Sequence, residues 1–198
     1  MSISVAAVTT IKVNEKDGEF TVYNDGPGIE CSWNEEHEMY TPQLIFGKLF
    51  TSSNYDDDQE RNWIGTNGIG AKGTNIFSKK FRVETVCKKK KYIQTWSEGM
   101  KIVGKVSLKD TTGKDYTKIT FFPDYDFFSC KDISGTLSLV YKRTIDLALF
   151  VPEVSVFWNN KKLKCSDFTK YMKMYIGEKT PSVIVQNKKW LVAFAMSP

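Results

Sequence analysis

The sequence predicts an α+β protein, a two-layer sandwich in which a mostly antiparallel sheet carries helices on one face. Three observations predict it. Short β-branched and aromatic runs recur between Gly, Asn and Asp turn signals along most of the chain. Only a few segments space their apolar residues like a helix, and the two best of these follow a series of strands. The regular strand–helix–strand alternation that builds a parallel sheet is missing.

Each element follows from local chemistry. Residues 5–13 (VAAVTTIKV) and 20–24 (FTVYN) read as a hairpin across NEKDGE, whose Asp-Gly is a tight-turn signal. DGPGI (25–29) is a second turn. From Thr41, PQLIFGKLF places Leu44, Ile45, Leu49 and Phe50 on one side of a short helix, and the polar stretch 51–63 is a loop. Residues 65–81 begin Gly-rich and become helix-compatible over 71–77. Runs 81–87, 92–98, 101–108 and 116–123 have short connections and read as a consecutive antiparallel meander. Asp132 is an N-cap candidate for a helix over 133–150, where Leu137, Val140, Tyr141 and Ile145 fall near helical spacing. A hairpin around Asn159-Asn160, a helix over 168–175 and a last hairpin (183–187 with 189–196) complete the reading.

Composition narrows the function. With 41% hydrophobic and 26% charged residues in a chain of 198, disorder is excluded as the overall state. No stretch approaches the ~18 apolar residues of a membrane span. The first residues have no basic leader before their short apolar run, so no secretory signal is expected. A net charge of +5 permits an anionic partner without naming one. His37 is the single histidine, which discounts a Ser-His-Asp hydrolase and a multi-His metal site. Cys31, Cys87, Cys130 and Cys165 form no CxxC pair and read as reduced thiols of an intracellular protein. Asp56, Asp57 and Asp58 are consecutive carboxylates that cannot converge easily on a metal, and Lys88–Lys91 reads as a solvated turn.

Three polar, glycine-bearing or small-residue segments carry the chemistry. YNDGPGI (23–29) lets backbone approach a ligand closely beside Asn24. TSSNYDDD (51–58) begins with small hydrogen-bonding groups. GTNGIGAKGTN (65–75) leads four glycines and Lys72 into a helix N-terminus, where free N–H groups favour phosphate. It is no Walker A loop, because Lys72 is followed by Gly73 where Ser or Thr is required.

NDGPGI, LIFGKLFTSSNYDDD and TNGIGAKGTNIFSKKFRVET, in this order, resemble the ATPase region of eukaryotic-type type IIA DNA topoisomerases, members of the GHKL ATPases. QTW (94–96), DYTKITFFPD (115–124) and WLVAFAMS (190–197) extend the resemblance over nearly the whole chain. The resemblance implies the GHKL fold without its N-terminal helices, with 1–180 a partial nucleotide-binding domain and 181–198 the start of a transducer domain. It implies ATP as ligand, with Asn24 accepting from the adenine amine and Gly26 and Gly28 passing beneath the base. Ser52, Ser53 and Asn54 would line ribose and phosphates. Gly65, Thr66, Asn67, Gly68, Ile69, Gly70, Ala71 and Lys72 would form a phosphate lid, expected to be mobile without ligand, with Lys72 on the γ-phosphate.

The same resemblance implies an isomerase, nuclear or, for a viral member, nuclear and cytoplasmic. The full-length protein would be a homodimer whose ATP-driven gate closure passes one DNA duplex through another, with no membrane partner. The family's general-base glutamate and its Mg²⁺-holding asparagine lie on a helix matched nowhere here, so no catalytic or metal residue is assigned. These 198 residues alone are expected to be inactive. Two other readings stay open at this point: a non-hydrolysing ATP-binding GHKL module, and a basic DNA-binding domain.

Overall fold

The computed structural model describes residues 6–49, 68–130, 132–165, 167–187 and 190–196. The first hairpin is β1 (Val8–Asn14) and β2 (Glu19–Asn24), with Thr9 opposite Asn24 and Asn14 opposite Glu19. A small hairpin of β3 (Trp33–Asn34) and β4 (Met39–Tyr40), not foreseen from sequence, precedes α1 (Thr41–Gly47). Next come α2 (Gly70–Ile76), β5 (Ser78–Cys87), β6 (Lys90–Ser97), β7 (Ile102–Val103), β8 (Ser107–Asp110) and β9 (Tyr116–Pro123). The chain continues through α3 (Ser134–Phe150), β10 (Ser155–Trp158), β11 (Lys161–Lys162), α4 (Phe168–Ile176), β12 (Ser182–Gln186) and β13 (Leu191–Ala195). Among the described residues no helix is long and apolar enough to cross a membrane, and the four cysteines are free thiols.

Nine strands form one sheet in the order β11-β10-β1-β2-β9-β5-β6-β7, with β8 also on β6. All its pairings are antiparallel except β1 with β10. The consecutive meander is therefore corrected. β9 does not pair with β8; it lies between β2 and β5. Core packing accounts for this. Phe121 of β9 stacks on Phe20 with centroids 5.4 Å apart and stands in register with the buried Phe81. The expected strand over 101–108 is also broken, into β7 and β8. At Gly104 the chain lies so close to β6 that an added Cβ would sit 2.7 Å from the Thr95 carbonyl.

Alternation along the strands gives the sheet one covered face and one open face. Val22, Ile119 and Val83 form one cross-strand row on the covered face; Phe20, Phe121, Phe81 and Trp96 form the next. Phe46 of α1 packs on this second row, and α3 packs Ile145, Ala148 and Leu149 on Ile11 and Val156. Asp132 caps α3 from one residue further out than a usual N-cap, accepting from the Ser134 N–H at 2.8 Å. α4 is tied to α3 through the nearly buried Asp146, which accepts from Tyr171 (2.7 Å), Lys142 (2.8 Å) and Arg143 (3.2 Å). A carboxylate buried this far is tolerable because its lone pairs are filled.

Glu84 plays a similar part on the open face. Burial works to raise its carboxyl, but hydrogen bonds from Tyr116 and Lys91 outweigh it and hold the pKa at about 2. In the unfolded chain the ordinary glutamate value is ~4.3. The stabilisation from Glu84 is therefore fully present above about pH 5 and is lost as pH falls toward about 2. Glu84→Gln is expected to be less stable than the parent at neutral pH in urea titrations, with the gap closing as pH drops through that window. A gap independent of pH would contradict this assignment.

Candidate functional site

Beyond the apolar rows of the covered face lies a polar one. Thr9, Asn24, Thr117 and Thr85 are cross-strand neighbours on β1, β2, β9 and β5. Thr85 is fully buried, and its hydroxyl satisfies three groups. It accepts from the Ile29 N–H at 2.9 Å, donates to the Tyr116 carbonyl at 2.8 Å and lies 3.2 Å from the Thr117 hydroxyl. A buried hydroxyl left unbonded would be costly, so this arrangement pins the turn after β2 to the end of β5.

The turn has a demanding geometry. Asp25 accepts from the Ala7 and Val8 N–H groups at 2.8 and 2.7 Å, which ties the turn to β1. Asn24 is half-buried and its Oδ1 accepts from the Gly26 N–H at 3.2 Å. A Cβ on Gly26 would stand 3.1 Å from that same oxygen, so glycine keeps the amide uncrowded. Gly28 has φ +71°, and a Cβ there would fall 1.9 Å from the Val86 carbonyl oxygen. Only glycine fits that position.

α2 occupies the same face. Ala71 from the helix and Ile29 from the turn both pack on the cluster of Phe46, Phe81, Val83 and Trp96. Asn75 donates to the Phe46 carbonyl at 3.0 Å, which joins α2 to α1, while its buried Oδ1 has no hydrogen-bond partner among the described residues. Gly68 has φ +60°, and Gly68, Ile69 and Gly70 are exposed. Lys72, by contrast, is 1% exposed inside the first turn of α2, and burial lowers its pKa. The resemblance puts Lys72 at the end of a mobile phosphate lid; here the helix begins at Gly70 and carries Lys72 inward.

Asn24, Gly26 and Gly28 thus share the covered face of the sheet with Gly70, Ala71 and Lys72 of α2. Ser52, Ser53, Asn54, Gly65, Thr66 and Asn67 lie outside the described residues, as do Asp56, Asp57 and Asp58. Thr85 and Thr117 were not singled out from sequence. A signal for Thr117 was present in YTKITFF, where it puts a hydroxyl on the face that Ile119 and Phe121 make apolar. Among the described residues no three His, Cys, Asp or Glu converge as a metal site.

Known proteins match this architecture. DNA topoisomerase 2 of Penicillium chrysogenum is 39% identical over 203 residues, covering 94% of this chain and 13% of that protein. Human DNA topoisomerase 2-alpha is 38% identical over 198 residues, with the same two coverages. The crystal structure of the ATPase region of Saccharomyces cerevisiae topoisomerase II matches with TM-score 0.88 and 34% identity, over 96% of this chain and 52% of that one. The chain belongs to the type II DNA topoisomerases, within their ATPase region. No family model matches it. It spans 13% of the length of these curated relatives and about half of the topoisomerase II ATPase region in the yeast structure. The two other readings of the sequence are not favoured beside this match.

Two glycines of the topoisomerase segment should respond in opposite senses. Gly28→Ala is expected to destabilise by at least ~3 kcal/mol, combining positive-φ strain with the clash on Val86. Gly73→Ala, inside α2 with nothing within 4 Å of the added Cβ, should stabilise by ~0.5–1 kcal/mol. Urea denaturation of the two variants measures both.

Proposed function

We propose that this segment binds ATP between the polar row of the sheet and α2. In the full-length protein, binding and hydrolysis would drive dimer-gate closure and DNA strand passage. The observation that carries the reading is the placement of Asn24. Its acceptor oxygen stands at the end of a strand, beside a turn whose glycines leave room, on the face that also bears α2. A carbonyl oxygen has two lone pairs, so Oδ1 can keep the Gly26 contact and accept from the adenine amine. Thr117, backed by the buried Thr85, would stand beside it and offer its hydroxyl oxygen to the ring edge. Ser52, Ser53 and Asn54 would meet ribose and phosphates, and Gly65–Lys72 would close over the phosphates. Burial lowers the pKa of Lys72, and a polyanion beside it would favour the charged form again.

ATP supplies the phosphoanhydride whose hydrolysis is coupled to strand passage. Mg²⁺ belongs to the same reading, but no described residue is assigned to it. The remaining proposals are a homodimer with DNA as substrate, a location in the nucleus (or nucleus and cytoplasm for a viral protein), and a division at 180/181. That division is supported by β12 and β13, which among the described residues pair only with each other.

Calorimetric titration with a non-hydrolysable ATP analogue and with ADP tests the nucleotide site. Lys72→Ala should weaken the analogue about 10- to 100-fold, the value of a charge-assisted hydrogen bond, and ADP much less. Asn24→Ala should weaken both alike. Equal losses for the two nucleotides in Lys72→Ala would reject its γ-phosphate role.

The purified 198-residue chain is expected to release no phosphate from ATP above background, since a positioned general base supplies ~10²–10⁴-fold and none is matched in these residues. Magnesium-dependent phosphate release in a coupled assay would overturn that expectation.

A further inference from the structure

The helices that cover the central sheet pack on one face, and the other face is basic. It presents Lys12, Lys80, Arg82, Lys91 and Lys118 from β1, β5, β6 and β9, against the carboxylates of Glu19 and Glu84. Glu84 is already held by Lys91 at 2.9 Å and Arg82 at 3.3 Å. Among the described residues Lys12 and Lys118 form no direct ion pair, though Lys118 stands opposite Glu84 and acts on its carboxylate through space. Both line a groove of about 480 Å³ with Glu19, Thr10, Thr21, Tyr23 and Asn160. Strand spacing puts Lys12 and Arg82, three strands apart, at ~14 Å. That spread exceeds one phosphate group and suits successive phosphates of a polymer. Neutral hydroxyls between the lysines are the partners that phosphate oxygens commonly take.

The Lys88–Lys91 run differs, because Lys88 is bound to Glu30 at 2.8 Å and Lys90 to Asp110 at 2.6 Å, which cancels much of its charge locally. We infer that the open face of the sheet, centred on Lys12 and Lys118, docks the sugar–phosphate backbone of duplex DNA. The choice of duplex DNA over another polyanion rests on the proposed function, and the site is separate from the nucleotide site on the covered face.

Fluorescence anisotropy of a short labelled duplex, titrated with the 198-residue chain without nucleotide, tests this. The parent chain should bind, weakening steeply between about 50 and 200 mM salt. Lys12→Glu/Lys118→Glu should lose at least ten-fold in affinity, with a log–log salt slope shallower by about 2, the value for two phosphate contacts. Lys12→Gln/Lys118→Gln should show the same slope change and a smaller loss, and it serves if the reversed pair fails to fold. Lys88→Glu/Lys90→Glu should change affinity less than about threefold, following the minor role of exposed paired charges. No change on altering Lys12 and Lys118, an equal loss at Lys88 and Lys90, or equal affinity for a labelled polyglutamate peptide would each overturn the inference. A parent chain that binds the ATP analogue but not duplex DNA would also overturn it, while leaving the proposed function standing.

Discussion

Gly28 brings its backbone against the carbonyl of Val86, a separation that excludes any side chain. The contact sets the path of the turn after β2, and Thr85 secures the following residue by accepting from the Ile29 N–H. On the other side Asp25 ties the turn to the start of β1. The turn is therefore held to β1 and β5, on either side of the Asn24–Thr117 pair. An acceptor such as the Asn24 amide is useful for recognition only if its direction is fixed in advance, because ordering it on binding would consume affinity.

The second constraint is the sidedness of the sheet. Apolar rows on the covered face bind α1, α2 and α3, and the polar row ends that face beside the glycine turn. Proposed nucleotide chemistry falls where the apolar packing stops and hydroxyls and an amide begin. The buried polar groups on this face are mostly satisfied internally, as at Thr85; the Oδ1 of Asn75, on α2 next to the proposed phosphate lid, has no hydrogen-bond partner among the described residues. The open face has a different character, polar and cationic, and so remains available for a second partner.

Much of the fold was legible in the sequence where the cause was local. The β1–β2 hairpin followed from Asp-Gly, the β10–β11 turn from Asn159-Asn160 with its positive φ values, and α3 and α4 from their spacing. The pairing of β9 with β2 and β5 was not legible, because it is decided by Phe20, Phe81 and Phe121 meeting across distant parts of the chain. The parallel contact of β1 with β10 is of the same kind, joining the first strand to one that follows α3. At the candidate site, Asn24 and the two glycine motifs stood out by composition. Thr85 and Thr117 did not, since a threonine in a strand is ordinary until its row is known. The burial of Lys72 was hidden too, because it depends on where α2 begins.

A crystal structure of the chain with a non-hydrolysable ATP analogue tests the central claim most directly. The account predicts adenine on the covered face, its exocyclic amine within about 3 Å of the Asn24 Oδ1, with the phosphates against the N-terminus of α2. Adenine bound elsewhere, with Asn24 touching only the Gly26 N–H, would contradict it.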